Sequence, residues 1–126
     1  MEIVLIRHGK PASANNPVIN ACEYSTWIRR YNFSAVAKHS RPNIINTQYK
    51  AFYLVTSDYK RAIHSANIYT GKNPQEIDKV YREMEIPRYK LALKLKAWHW
   101  VYFSRALWML GFKGPFESFS QAKQRA

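Results

Sequence analysis

A single cysteine, Cys22, stands in a chain of 126 residues, so no disulfide can close within it, and the small secreted scaffolds that depend on such bridges are excluded. The first residues also lack the basic region and long apolar core of a secretory signal. Together these absences lead to the expectation of a reducing, cytoplasmic location. The longest apolar stretch, 97–112, is broken by His99, Ser104 and Arg105. It falls short of the roughly 18 to 20 apolar residues that a spanning helix needs, and no transmembrane segment is expected. Acids are scarce too: 8 Asp and Glu face 20 Lys and Arg, for a formal charge of +12. A chain this basic attracts phosphates, nucleic acid and anionic lipid without specificity. Its cations are scattered from Arg7 to Arg125 without a continuous block, which describes a solvated basic surface rather than a specific nucleic-acid groove. Finally, Cys22, His39, His64 and His99 have no zinc-like spacing, and no metal site is expected.

What is present reads as a folded domain. Apolar residues make up 47% and aromatics 15%, enough for one modest core, and the length suits a single domain over residues 1–126. Residues Ile3, Val4, Leu5 and Ile6 form a continuous apolar run closed by Gly9 and Pro11, which predicts a short strand over 2–7 buried on both faces, as in a parallel sheet. Residues 12–19 read as loop. Tyr24, Trp27, Ile28 and Tyr31 share one face of a predicted helix over 23–36, and 39–49 is expected to be irregular. The run 51–56, "AFYLVT", repeats the first pattern as a second buried strand. The helix predicted after it has Ser57 or Asp58 as N-cap and Gly71 as closing residue. A third strand is expected over 76–83. A long helical region, one helix or two, follows over 91–110, with Leu91, Leu95, Trp98, Tyr102 and Met109 as its packing stripe, and a last helix begins at 117. This alternation predicts an α/β sheet with helices on its faces. Only three strands are visible, against a usual sheet of about five or six.

In such a sheet, ligands gather at the carboxyl ends of the strands. The first strand end delivers Arg7, His8 and Gly9; the second delivers Ser57, Asp58 and, in the first helical turn, Arg61. Two guanidinium forks can hold a phosphoryl group bidentately, and a helix N-terminus adds backbone donors. Gly9 lets the backbone approach closely. A neutral imidazole in this pocket can attack phosphorus and form a phosphohistidine, while the arginines stabilise charge on the equatorial oxygens. Glu83, at the end of the third strand, is the expected proton donor for the leaving oxygen, with Glu85 as the second candidate.

The three segments "LIRHGKP", "TSDYKRAIHSA" and "YREMEIP", in this order, resemble the histidine phosphatase superfamily, also called phosphoglycerate mutase-like. The resemblance runs from Glu2 to about Glu85, and "ESFSQAKQRA" is similar to the family's helix before its next core strand. It implies a three-layer αβα sandwich with a mostly parallel sheet. By position, it also implies His8 as nucleophile, Arg7 and Arg61 as phosphate clamps and Glu83 as general acid. The implied substrate is a phosphomonoester, small molecule or phosphoprotein, turned over without cofactor or metal. The family pattern includes a second catalytic His on a later strand, which nothing after Glu117 supplies. The chain is therefore expected to be the N-terminal portion of the domain, active as a hydrolase if the full-length chain provides that His. The alternative is a phosphate-binding module without turnover. The Trp-Asn pair of the mutase branch is absent after Gly9, which favours the phosphatase branch. Residues 88–114 correspond to an aromatic insertion or lid, with Trp98, Trp100 and Trp108 as specificity walls. With Lys90, Lys94, Lys96 and Arg105 beside it, the alternative is a membrane-surface or partner-binding helix.

Overall fold

Residues 1–44 and 47–126 are described by the computed structural model; Ile45 and Asn46, within the stretch expected to be irregular, lie outside the described residues. The structure is mixed α/β and divides into two compact units, one of Met1–Ala14 and Tyr31–Arg82, the other of Asn15–Arg30 and Glu83–Ala126.

The first unit is built on a β-α-β segment. Strand β2 (Val55–Thr56) leads into helix α2 (Lys60–Thr70), and strand β3 (Glu76–Ile77) returns parallel to β2, with Val55 opposite Glu76 and Thr56 opposite Ile77. Helix α2 stops where Gly71 takes a left-handed φ of 70°, from which its N–H bonds the Asn67 carbonyl at 2.9 Å. Its N-terminus differs from expectation. Tyr59 is the N-cap and makes no side-chain cap bond, because both Asp58 carboxylate oxygens accept from the Arg82 guanidinium. A charged bidentate partner holds a carboxylate more strongly than a helix N–H does. Strand β3 is shorter than the predicted third strand for a similar reason. The Asp78 carboxylate accepts from the Val80 N–H at 2.8 Å and turns the chain into a single 3₁₀ turn, Lys79–Tyr81.

The predicted first strand does not form. Residues 2–7 pair with no strand among the described residues, and Ile3 and Leu5 are 72% and 93% exposed. The backbone becomes anchored only from Gly9 onward. Gly9 N–H donates to Ser65 Oγ (2.9 Å), Lys10 N–H to Ser40 Oγ (2.8 Å), and Pro11 bridges Val36. These contacts draw the chain onto α2 and the loop at 34–40, so the preceding apolar run has no ladder to join.

In the second unit, strand β1 (Val18–Asn20) pairs antiparallel with β4 (Lys94–Lys96), Ile19 opposite Leu95. Both strands lie in stretches predicted as loop or helix. Asn20 then opens helix α1 (Ala21–Phe33). Its Oδ1 accepts from the N–H groups of Cys22 (3.0 Å) and Glu23 (2.9 Å), and the Glu23 carboxylate returns a bond to the Asn20 N–H at 2.8 Å. The predicted face of α1 is buried as expected, with Tyr24, Trp27 and Ile28 in this unit. The first N–H groups of helix α3 (Ala97–Met109) are satisfied by Pro17 O and Asn16 Oδ1, at 2.9 and 3.0 Å. Helix α4 (Phe119–Arg125) starts with a reciprocal Ser118–Gln121 capping box.

The buried face of α3 is Ala97, Trp100, Val101, Ser104 and Trp108, not the stripe expected from Leu91, Leu95, Trp98, Tyr102 and Met109; Tyr102 and Met109 are 68% and 61% exposed. The indole N–H groups decide the orientation. Trp100 donates to the Ile19 carbonyl (2.8 Å) and Trp108 to the Glu117 carbonyl (2.7 Å), so both rings can be fully buried without an orphaned donor. Trp100 and Trp108 are therefore core residues of this unit rather than specificity walls. Trp100 stacks on Tyr24 at 5.4 Å, and half-buried Trp98 meets Trp27 edge-on at 5.4 Å.

Candidate functional site

The first unit brings His8, Gly9 and Arg61 together across 53 residues of chain. Arg61 occupies the first turn of α2 and is 1% exposed. Its Nε–H donates to His8 Nε2 at 3.1 Å, and His8 Nδ1 lies 2.8 Å from the Gly9 carbonyl. These contacts settle the tautomer. The carbonyl can only accept, so Nδ1 carries the proton; the guanidinium can only donate, so the lone pair is on Nε2. Nucleophilic capacity is thus concentrated on the nitrogen that faces Arg61.

Further guanidinium contacts come from Tyr31, Asn32 and Tyr59. Nη1 donates to Asn32 Oδ1 at 3.1 Å, and the Tyr31 and Asn32 carbonyls lie at 3.5 and 3.4 Å. The cation also lies 4.9 Å from the Tyr31 ring centroid and 4.5 Å from that of Tyr59. Arg82 stands 4.7 Å from the same Tyr59 ring, so one phenol is shared by two guanidiniums. Burial of the cation among these groups strengthens its interaction with nearby charge.

The Gly9 N–H is taken by Ser65 Oγ, which itself donates to the Arg61 carbonyl at 2.7 Å. A Cβ on Gly9 would meet Val36 Cγ1 at 2.8 Å and Ser40 Oγ at 3.1 Å. The close approach that requires glycine is therefore to the protein's own loop. Arg7 is exposed and takes no part in these bonds. Glu83 is exposed and belongs to the other unit. Glu85 accepts from the Glu117 N–H at 3.3 Å, a local structural role. His64 Nδ1 accepts from the Val36 N–H at 3.2 Å, fastening the loop that packs on Gly9.

Sequence reasoning missed Ser65, Asn32 and Tyr59. Ser65 was within reach of it, because a residue four places after Arg61 shares its helix face. Asn32 and Tyr59 were not, since their contacts exist only once α2 has packed.

Arg61→Ala is expected to lower the stability of the first unit by about 2 to 3 kcal/mol, since it strands buried acceptors and opens a gap between two rings. Urea unfolding checks this. Arg61→Lys should recover only part of the loss, because an ammonium cannot serve Nε2 and Asn32 with one rigid fork.

The Asp58–Arg82 pair gives a pH signature. Hydrogen bonding from Arg82, which outweighs the opposing effect of desolvation, holds the Asp58 carboxyl below its ordinary range. Its contribution is thus complete above the unfolded value, near 3.9, and is lost as pH falls through the lower folded value. With both side chains about 30% exposed, the pair is worth only about 0.5 to 1 kcal/mol. Asp58→Asn should flatten stability against pH by that amount below pH of about 4 while changing little in strong acid.

Comparison with family models, curated proteins and solved structures finds no match for this chain.

Proposed function

We propose that the chain is histidine-phosphatase-like and hydrolyses phosphomonoesters through a phosphohistidine at His8. The observation that carries this reading is the 3.1 Å bond between Arg61 Nε and His8 Nε2. The bond sets the His8 imidazole against a buried guanidinium, which supports the roles proposed for both. In this reading the β-α-β segment is part of a three-layer αβα sandwich of the phosphoglycerate mutase-like type, and 88–114 is an insertion in that fold.

The chemistry balances without a metal. An arriving phosphoryl oxygen takes the Arg61 Nε–H, which releases Nε2. Nε2 attacks phosphorus, the ester P–O bond breaks, and the leaving oxygen is protonated by a general acid, the role that the family resemblance gives to Glu83. Water then cleaves the P–N bond, returning a proton to the conjugate base of that acid and freeing orthophosphate. Arg61 and Arg7 are the proposed clamps, with Gly9 beside them.

A second reading is favoured by a specific feature. Arg61 is 1% exposed with Nη1 already on Asn32, an arrangement suited to holding an anion or the imidazole itself without turnover. Isothermal titration with orthovanadate and a p-nitrophenyl phosphate assay separate the two. Vanadate binding with hydrolysis, both lost in Arg61→Ala, supports the phosphatase. Binding without hydrolysis supports the module, and binding that survives Arg61→Ala sinks both.

A further inference from the structure

The second unit carries a surface that the proposed hydrolysis does not use. Opposite its buried face, helix α3 presents Tyr102, Phe103, Met109 and Leu110, which are 68%, 39%, 61% and 76% exposed, and Phe112 continues the patch at 56%. His99 and Ala106 complete that side of the helix, so no Lys, Arg, Asp or Glu interrupts it. Scattered exposed apolar residues are ordinary, but a helix apolar on both its buried and its outward face calls for a partner.

Charge says which partner. From Ile86 to Phe116 the chain holds six Lys and Arg and not one Asp or Glu. Lys94 and Lys96 sit on β4 immediately before α3, and Lys113 immediately after the Phe112 end; all three are exposed. The acids that bound this stretch are engaged within the unit: Glu85 accepts from the Glu117 N–H, and Glu117 pairs with Arg125 at 2.8 Å. An apolar strip with cations at both ends and no internal counter-charge is complementary to the boundary between acyl chains and acidic headgroups. A second copy of the same face would bring cations against cations. The 13 residues of α3 span about 20 Å, too short for the roughly 30 Å hydrocarbon core, and no helix among the described residues is long and apolar enough to cross a membrane.

We propose that the outward face of α3 docks the protein on an anionic lipid surface, the helix lying in the plane of the interface with Tyr102, Met109, Leu110 and Phe112 inserted and Lys94, Lys96 and Lys113 on headgroup phosphates and carboxylates. The test is cosedimentation of the whole chain with phosphatidylcholine vesicles, with and without about a third phosphatidylserine, at physiological salt. Binding is expected to the mixed vesicles and not to phosphatidylcholine alone. Met109→Glu/Leu110→Glu should abolish it with the circular dichroism spectrum unchanged. Lys94→Gln/Lys96→Gln should weaken it about 25-fold, at roughly fivefold per cation, whereas Lys38→Gln/Lys50→Gln in the other unit, with equal loss of charge, should change it less than threefold. Equal binding to both vesicle types, equal weakening by the two lysine pairs, or binding that survives Met109→Glu/Leu110→Glu would each overturn the proposal. So would absence of vesicle binding together with a dimer in sedimentation equilibrium that the same double variant dissolves.

Discussion

His8→Asn is expected to abolish covalent labelling by a phosphate donor and to reduce p-nitrophenyl phosphate turnover by about a thousandfold or more, because no other nucleophile replaces the imidazole. Asn is the informative substitution. Its amide can still donate toward the Gly9 carbonyl and accept from Arg61, so the two contacts at 2.8 and 3.1 Å need not both be lost. Stability should therefore fall by only about 1 kcal/mol. The expected pattern is opposite to that of Arg61→Ala, in which folding and anion binding fail together. Acid-labile, base-stable label on the wild-type chain, absent from His8→Asn, is the required result for an N–P bond. Label persisting in the variant places the nucleophile elsewhere. If neither chain is labelled while vanadate still binds through Arg61, the pocket is an anion holder.

Where a single local interaction decides the structure, the chain was readable. Gly71 marks the end of α2 because the carbonyl its N–H satisfies lies only four residues back. The meeting of His8 and Arg61 was legible for a different reason: each is the first polar residue of its kind after an apolar run or a helix start. Residues 2–7 failed because strand formation depends on a neighbour. The apolar run promises burial, but β2 is two residues long and pairs with β3. The buried face of α3, though not the helix itself, was misassigned for lack of contrast. With aromatic and aliphatic residues on every side, periodicity carries no phase, and the choice fell to two indole N–H groups and the carbonyls of Ile19 and Glu117. Those partners come from 81 and 9 residues away, beyond any local pattern. Gly9 shows a third kind of miss: the residue type was read rightly as a point of close approach, but what approaches is Val36 and Ser40.

Trp100→Ala should cost the second unit about 3 to 5 kcal/mol, the range for emptying a fully buried indole site. Three losses combine. The ring is 0% exposed, so its removal leaves a cavity that α1 and α3 cannot both collapse into. Tyr24, also 0% exposed, loses the ring stacked on it at 5.4 Å. The Ile19 carbonyl in β1 loses its 2.8 Å donor. Trp100→Phe separates these contributions. A phenyl ring refills most of the space and keeps the stack on Tyr24, so its cost isolates the orphaned carbonyl and should be about 1 to 3 kcal/mol. Tyr102→Ala, two positions along the same helix but 68% exposed, should change stability by less than about 0.5 kcal/mol. Urea denaturation followed by circular dichroism ranks the three. The same ranking tests the assignment of faces on α3 directly: if Tyr102→Ala is the damaging change and Trp100→Ala the tolerated one, the helix is turned the other way, and the aromatic strip assigned to the lipid surface is the core.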